Sequence, residues 1–209
     1  MIVDVAIDFS VPLACSAAVR HCLDKRIPLV VATTGLNTAQ IAEVKEAAKS
    51  IPLCWAPSMS LAVNLTMKLA QQAARALQQV PQGVDVEIIE RHHRFKEDAP
   101  SGTAITLARD IDLKTGRYSG FELVEQVEAP AQGDKVPSGP SALPVPIISE
   151  RKGEVTGKHA VSWTSVNDRI VISHEAFDRS GFALGAVIAA EWLIGRQGFF
   201  NMDNVLDGK

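Results

Sequence analysis

Several things are scarce in this chain, and each absence narrows the reading. Among its 14 glycines no trio shows the GxGxxG spacing between a strand and a helix, so the turn with which dinucleotide folds meet a pyrophosphate is missing from these 209 residues. The three cysteines, Cys15, Cys22 and Cys54, form no CxxC pair and have no histidine at metal-ligand spacing. Buried thiols in a reducing cytosol are the expectation, with no metal. No apolar run approaches the roughly 20 residues that a membrane span requires, and the N-terminus lacks the basic flank of a signal peptide. A cytoplasmic protein is expected, with no membrane partner. A net charge of −3 and a pI near 6.0 argue against nucleic acid, whose binding needs a basic surface. A hydrophobic content of 46% remains, enough to bury a core in one large or two small domains.

Positive charge is instead local. Residues 90–106 read ERHHRFKEDAPSGTAIT, with His92 and His93 beside Arg91, Arg94 and Lys96, followed by Ser101, Gly102 and Thr103 at what looks like a helix start. Unpaired N–H groups at a helix N-terminus could hold a carboxylate or phosphate at Gly102 and Thr103, while His92 or Lys96 handles a proton. Each part also has a plain structural reading, as a solvated basic face and an ordinary helix cap. Arg91 and Arg94 could steer an anion, but pairing with Glu97 and Asp98 is favoured.

Along the chain, residues 2–9 read as a buried parallel strand, and Ser10 and Pro12 open a helix. Residues 29–32 form a second strand, Thr38 opens a helix with Ile41, Val44 and Ala48 on one stripe, and residues 51–56 form a third strand. Strand and helix alternating with short turns predict a parallel sheet whose ligands gather at the carboxyl ends of the strands. A helix over 61–80 carries Leu61, Leu65, Leu69, Ala73 and Leu77 at a four-residue step, and Pro81-Gln82-Gly83 stops it. Residues 84–89 alternate as a half-buried strand that delivers His92 and His93. From 112 to 146 the glycines and prolines predict surface loops, with a second sheet resuming at 145–149. Residues 158–165 and 169–175 predict an antiparallel hairpin, in which His159 and His174 read as structural. Residues 181–195 predict a helix buried on most sides, with Gly181 and Gly185 allowing close packing.

The run EIIERHHRFKEDAPSGTA closely resembles the signature of the dihydrodipicolinate reductases, also called 4-hydroxy-tetrahydrodipicolinate reductases, of the diaminopimelate and lysine pathway. The resemblance continues in Ser149, Arg151, Gly153, Gly157 and His159, in His174-Glu175-Ala176 and in the tail MDNVLDGK. It implies that His92 and Lys96 transfer protons and that His93, Gly102 and Thr103 contact a cyclic dicarboxylate. It also implies that Ala32-Thr33-Thr34 and Ala56-Pro57-Ser58-Met59 line the nicotinamide side of an NADPH or NADH pocket. The family usually has Asn-Phe where Ser58-Met59 stand here.

The fold class implied is α/β: a partial Rossmann-like parallel sheet plus an α+β substrate-binding and oligomerisation domain with a mixed sheet. Residues 1–57, joined by the C-terminal helix in 177–209, would be the partial dinucleotide-binding domain, and 58–176 the second domain. The resemblance further implies a homotetramer and a chain that begins midway through the nucleotide domain. A non-catalytic remnant and a dicarboxylate-binding module stand as alternatives to the enzyme.

Overall fold

The computed structural model describes residues 3–80, 83–124 and 143–208. In chain order the elements are β1 (Ala6–Asp8), α1 (Pro12–Lys25), β2 (Leu29–Val31), α2 (Thr38–Ala47), β3 (Leu53–Trp55), α3 (Leu61–Leu77), β4 (Asp85–His92) and α4 (Gly102–Thr115). They continue as β5 (Tyr118–Val124), β6 (Leu143–Arg151), β7 (Gly157–Thr164), β8 (Arg169–Ala176), α5 (Ser180–Leu193), β9 (Phe199–Phe200) and α6 (Met202–Asp207). The chain divides into two compact units, Met1–Leu65 with Arg179–Lys209, and Thr66–Asp178. The division falls inside α3.

The first unit is a parallel sheet in the order β1-β2-β3-β9. Strand periodicity sorts its core into two layers. Val30 and Cys54 point to one face, where they meet Ala186, Ala189 and Leu193 of α5. Leu29, Val31 and Leu53 point to the other, where they meet Cys15 and Val19 of α1 and Val44 of α2. A sheet buried on both faces explains why its strands read as continuous apolar runs. All three cysteines are free and buried.

The second unit is a mixed sheet in the order β5-β6-β4-β7-β8. β4 runs parallel to β6 and antiparallel to β7, and β7 and β8 form the expected hairpin. The buried face of β4 is Val86, Ile88, Glu90 and His92. Across from it on β7 stand Trp163, Val161 and His159. This face is therefore apolar at one end and polar at the other.

Some expectations are corrected. Val11, not Ser10, is the N-cap of α1, and its side chain makes no capping bond; Pro12 at the first helical position takes the place where a missing N–H costs nothing. The stripe expected on α3 is not the buried one: Leu65 and Leu69 are exposed, whereas Val63, Met67, Ala70 and Ala74 are buried. The two alanines allow close approach on the packed side, and the flexible Met67 fills the space beside them. Within 112–146, α4 continues to Thr115, β5 fills Tyr118–Val124 and β6 begins at Leu143; residues 125–142 and the stop at 81–82 lie outside the described residues. α5 buries one side only, with Leu184 and Val187 exposed. Gly185 does pack tightly, since a Cβ there would lie 1.8 Å from the Met59 carbonyl oxygen, but Gly181 has open space.

Candidate active site

β4 carries the alternation three residues beyond Ile89, and this sets the site. Glu90 and His92 share the inner face, while Arg91 points to the other side and pairs with Glu150 of β6. Backbone bonds from Lys152 N to His92 O at 2.9 Å and from Arg94 N to Gly153 O at 3.1 Å hold the end of β4 against the turn after β6. Ser149, Glu90, His159 and His174 are cross-strand neighbours in one row over β6, β4, β7 and β8.

Glu90 is fully buried and forms the centre. One carboxylate oxygen, Oε2, meets His92 Nδ1. The other, Oε1, accepts from Arg151 Nη2 at 2.9 Å and from Ser101 N at 3.2 Å. Burial alone would push the Glu90 carboxyl up, but the hydrogen bonds from His92 and Arg151 outweigh it and hold it at about 2, so it is a carboxylate at neutral pH. His159 is lowered to about 4, first by burial and then by the neighbouring His92, and its Nε2 shares a 2.9 Å hydrogen bond with Ser101 Oγ. A neutral His159 ring stands edge-on to His92 with centroids 5.1 Å apart.

Ser101 is the N-cap of α4, its Oγ accepting from Ala104 N at 3.3 Å. Gly102 and Thr103 follow as the first helical residues, whose N–H groups have no intrahelical acceptor. Gly102 is exposed with open space where a Cβ would stand. His93, Lys96 and the start of α4 are thus brought close along the chain to the Glu90–His92 pair. Lys96 Nζ pairs with Asp98 Oδ1 at 2.6 Å, and Arg94 lies over the Phe95 ring at 4.7 Å. These contacts replace the expected pairing of Arg91 and Arg94 with Glu97 and Asp98. His93 Nδ1 is buried without a partner among the described residues.

Glu90, His92 and His159 offer donor atoms all within 4.8 Å of one another, a spacing that a metal ion could use. Glu90 already holds a guanidinium, an imidazole and a backbone N–H, so its charge is compensated and its oxygens are taken. A hydrogen-bonded proton network fits this donor set better than a dication.

The remaining candidates belong to the first unit. Thr33 is buried and donates from Oγ1 to Asp8 Oδ2 at 2.8 Å, and Ser10 N donates to Asp8 Oδ1 at 3.2 Å. Ala32 and Ala56 are buried, Thr34 and Pro57 are exposed, and Met59 is packed in the cluster under α5. Ser58 Oγ is buried without a partner among the described residues. Sequence reasoning missed Glu90 and Asp8. The signal for Glu90 was present, because continuing the alternation of β4 past Ile88 puts residues 90 and 92 on the buried face.

Models of "Dihydrodipicolinate reductase, N-terminus" and "Dihydrodipicolinate reductase, C-terminus" match residues 2–59 and 62–206. The chain belongs to this family. A 4-hydroxy-tetrahydrodipicolinate reductase of Rhodopirellula baltica is 42% identical over 203 residues, covering 96% of this chain and 70% of that protein. One from Alkalilimnicola ehrlichii is 42% identical over 210 residues, covering 97% and 73%. Among solved structures, the dipicolinate-bound dihydrodipicolinate reductase of Paenisporosarcina sp. TG-14 has a TM-score of 0.72 at 24% identity, covering 95% of this chain and 71% of that one. That likeness extends the dihydrodipicolinate reductase assignment to the fold: a Rossmann-like sheet followed by a second, mixed-sheet domain.

Proposed function

We propose that this dihydrodipicolinate reductase family member reduces 4-hydroxy-tetrahydrodipicolinate to tetrahydrodipicolinate, using NADH or NADPH, in diaminopimelate and lysine synthesis. The observation that carries the reading is the Glu90–His92 pair tied through Ser101 to the open N-terminus of α4. Proton handling and anion seating share one hydrogen-bonded frame. The N–H groups of Gly102 and Thr103, with His93, hold substrate carboxylate oxygens. A reduced nicotinamide supplies the hydride when bound. Loss of the 4-hydroxyl as water leaves a conjugated ring; hydride added at that carbon then leaves negative charge on the adjacent carbon, which Lys96 protonates with His92 beside it. Lys96 Nζ meets Asp98 Oδ1 at 2.6 Å, a contact that the substrate's own carboxylates would take over.

Residues 1–57 with the helix in 177–209 take the cofactor, and 58–176 take the substrate. Residues Ala32 to Thr34 and Ala56 to Met59 stand at the ends of β2 and β3, where parallel sheets place ligands. Ser58 Oγ, a buried hydroxyl without a partner among the described residues, fits the carboxamide of a nicotinamide. Copies assemble as a homotetramer through the second sheet, whose edge strand β8 exposes Ile170 and Val171. Among the described residues no helix is long and apolar enough to cross a membrane, and the three free thiols suit the reducing cytoplasm proposed for the protein.

Lys96→Ala tests the assignment. Turnover is expected to fall on the order of 100-fold or more, with NADH and NADPH binding, read by tryptophan quenching, changed less than about threefold. Unchanged turnover would reject the role of Lys96. Dicarboxylate binding without any nicotinamide binding in the unaltered protein would reject the reductase.

A further inference from the structure

Glu90 transfers no proton in the steps above, yet it touches three separate elements. It stands on β4, receives Arg151 from the end of β6, and receives the backbone of Ser101 at the start of α4. Both of those donors use Oε1, which leaves Oε2 to His92 Nδ1. A carboxylate fixed at one oxygen by two donors cannot turn the other away.

From this geometry we infer that Glu90 is the positioning residue of the site, holding the His92 proton on Nδ1 so that Nε2 is the edge offered to chemistry. The inference rests on the reductase reading of His92. A carboxylate only accepts, so the ring nitrogen facing it carries the hydrogen. The space at the other edge agrees: a Cβ on Gly157 would stand 3.2 Å from His92 Nε2, so glycine is what keeps that edge uncrowded. The same carboxylate anchors Ser101, so the imidazole and the helix start that seats the anion are set by one group.

Glu90→Gln separates positioning from folding. The amide oxygen of glutamine still accepts from Arg151 and Ser101, and its NH₂ then replaces Oε2. Two donors cannot face each other, so His92 must present a bare Nδ1 and move its hydrogen to Nε2. Ring nitrogen shifts of His92, recorded by long-range ¹⁵N–¹H NMR on the neutral ring and assigned with His92→Gln, report the tautomer directly. The expected result is Nδ1–H in the unaltered protein and Nε2–H in Glu90→Gln. With it, kcat falls on the order of 100-fold while KM for the dicarboxylate changes less than about threefold.

An Nε2–H ring in the unaltered protein overturns the inference, whether or not the variant folds. An inverted tautomer with unchanged kcat also overturns it. If the unaltered protein reduces no dicarboxylate at all, the proposed function fails, and the tautomer readout still decides what Glu90 does.

Discussion

The two units each bury a carboxylate but surround it differently. In the first, Asp8 takes its hydrogen bonds from a hydroxyl, Thr33 Oγ1, and a backbone N–H, Ser10 N. In the second, Glu90 takes them from an imidazole and a guanidinium as well as a backbone N–H. A carboxylate tied to neutral donors shapes a loop, here the turns after β1 and β2. One tied to groups that carry protons also decides where those protons sit. The first unit is accordingly held by close apolar packing on two faces, and the second carries in its sheet a charge network that packing alone would not tolerate.

The largest test of this contrast is acid. His159 is depressed from 6.5 to about 4, burial being the main cause and His92 the next, with Glu90, His174 and Lys96 also facing it. Glu90 is depressed from 4.5 to about 2. For a depressed group the unfolded chain binds more protons than the folded one between the two values. Stability is therefore full above about 6.5, falls as His159 takes up its proton towards pH 4, and falls again as Glu90 does so below 4.5. The His159 part amounts to on the order of 3 kcal/mol. Hydrogen exchange followed on peptides from each unit should show the second unit opening in this range while the first stays protected, and His159→Gln should shrink the upper step, the remainder belonging to His174, which burial also lowers. Equal loss in both units would break the comparison.

How much of this was legible depends on how far apart the interacting residues lie in sequence. The parallel strands β1 to β3, the hairpin of β7 and β8 and the Ser101 cap were readable, because each is set by neighbours in the chain. For Glu90 the alternation gives the face but not the reason, because a buried glutamate ends an apolar alternation unless something offsets its charge. The offset comes from Arg151, 61 residues away. β5 resembles a loop in sequence for a related reason: Gly120 has a φ of +84° and the pairing with β6 shifts register there, so its strand pattern is interrupted. On α3 the leucine stripe is the stronger signal in sequence, whereas the packed side is that of Val63, Met67, Ala70 and Ala74.

A volume change probes the first unit in the same way that acid probes the second. Gly185→Ala would place a Cβ 1.8 Å from the Met59 carbonyl oxygen and 2.9 Å from its carbonyl carbon. Backbone cannot rotate away as a side-chain tip can, so α5 must move off the segment that leads from β3 into α3 at a cost of about 2 kcal/mol, within the usual range for overpacking. Peptides of the first unit should lose exchange protection by that amount, and those around Glu90 should not. Loss of protection around Glu90 instead would mean that packing, and not charge, holds the second unit too.

The smallest expected effect separates charge from burial within β4 itself. Arg91 is adjacent to Glu90 but faces the other side of the sheet, where it pairs with Glu150 and its side chain keeps 37% of its exposure. Water screens such a pair, and ordering two long side chains offsets part of the attraction, so Arg91→Gln should cost less than about 1 kcal/mol by denaturant unfolding. Turnover should stay within about twofold, since Arg91 touches neither His92 nor the start of α4. A cost comparable to that of losing a buried charge would show that ion pairs anywhere on this sheet carry its stability. The special standing of Glu90 would then come from its proton partners alone, not from its depth.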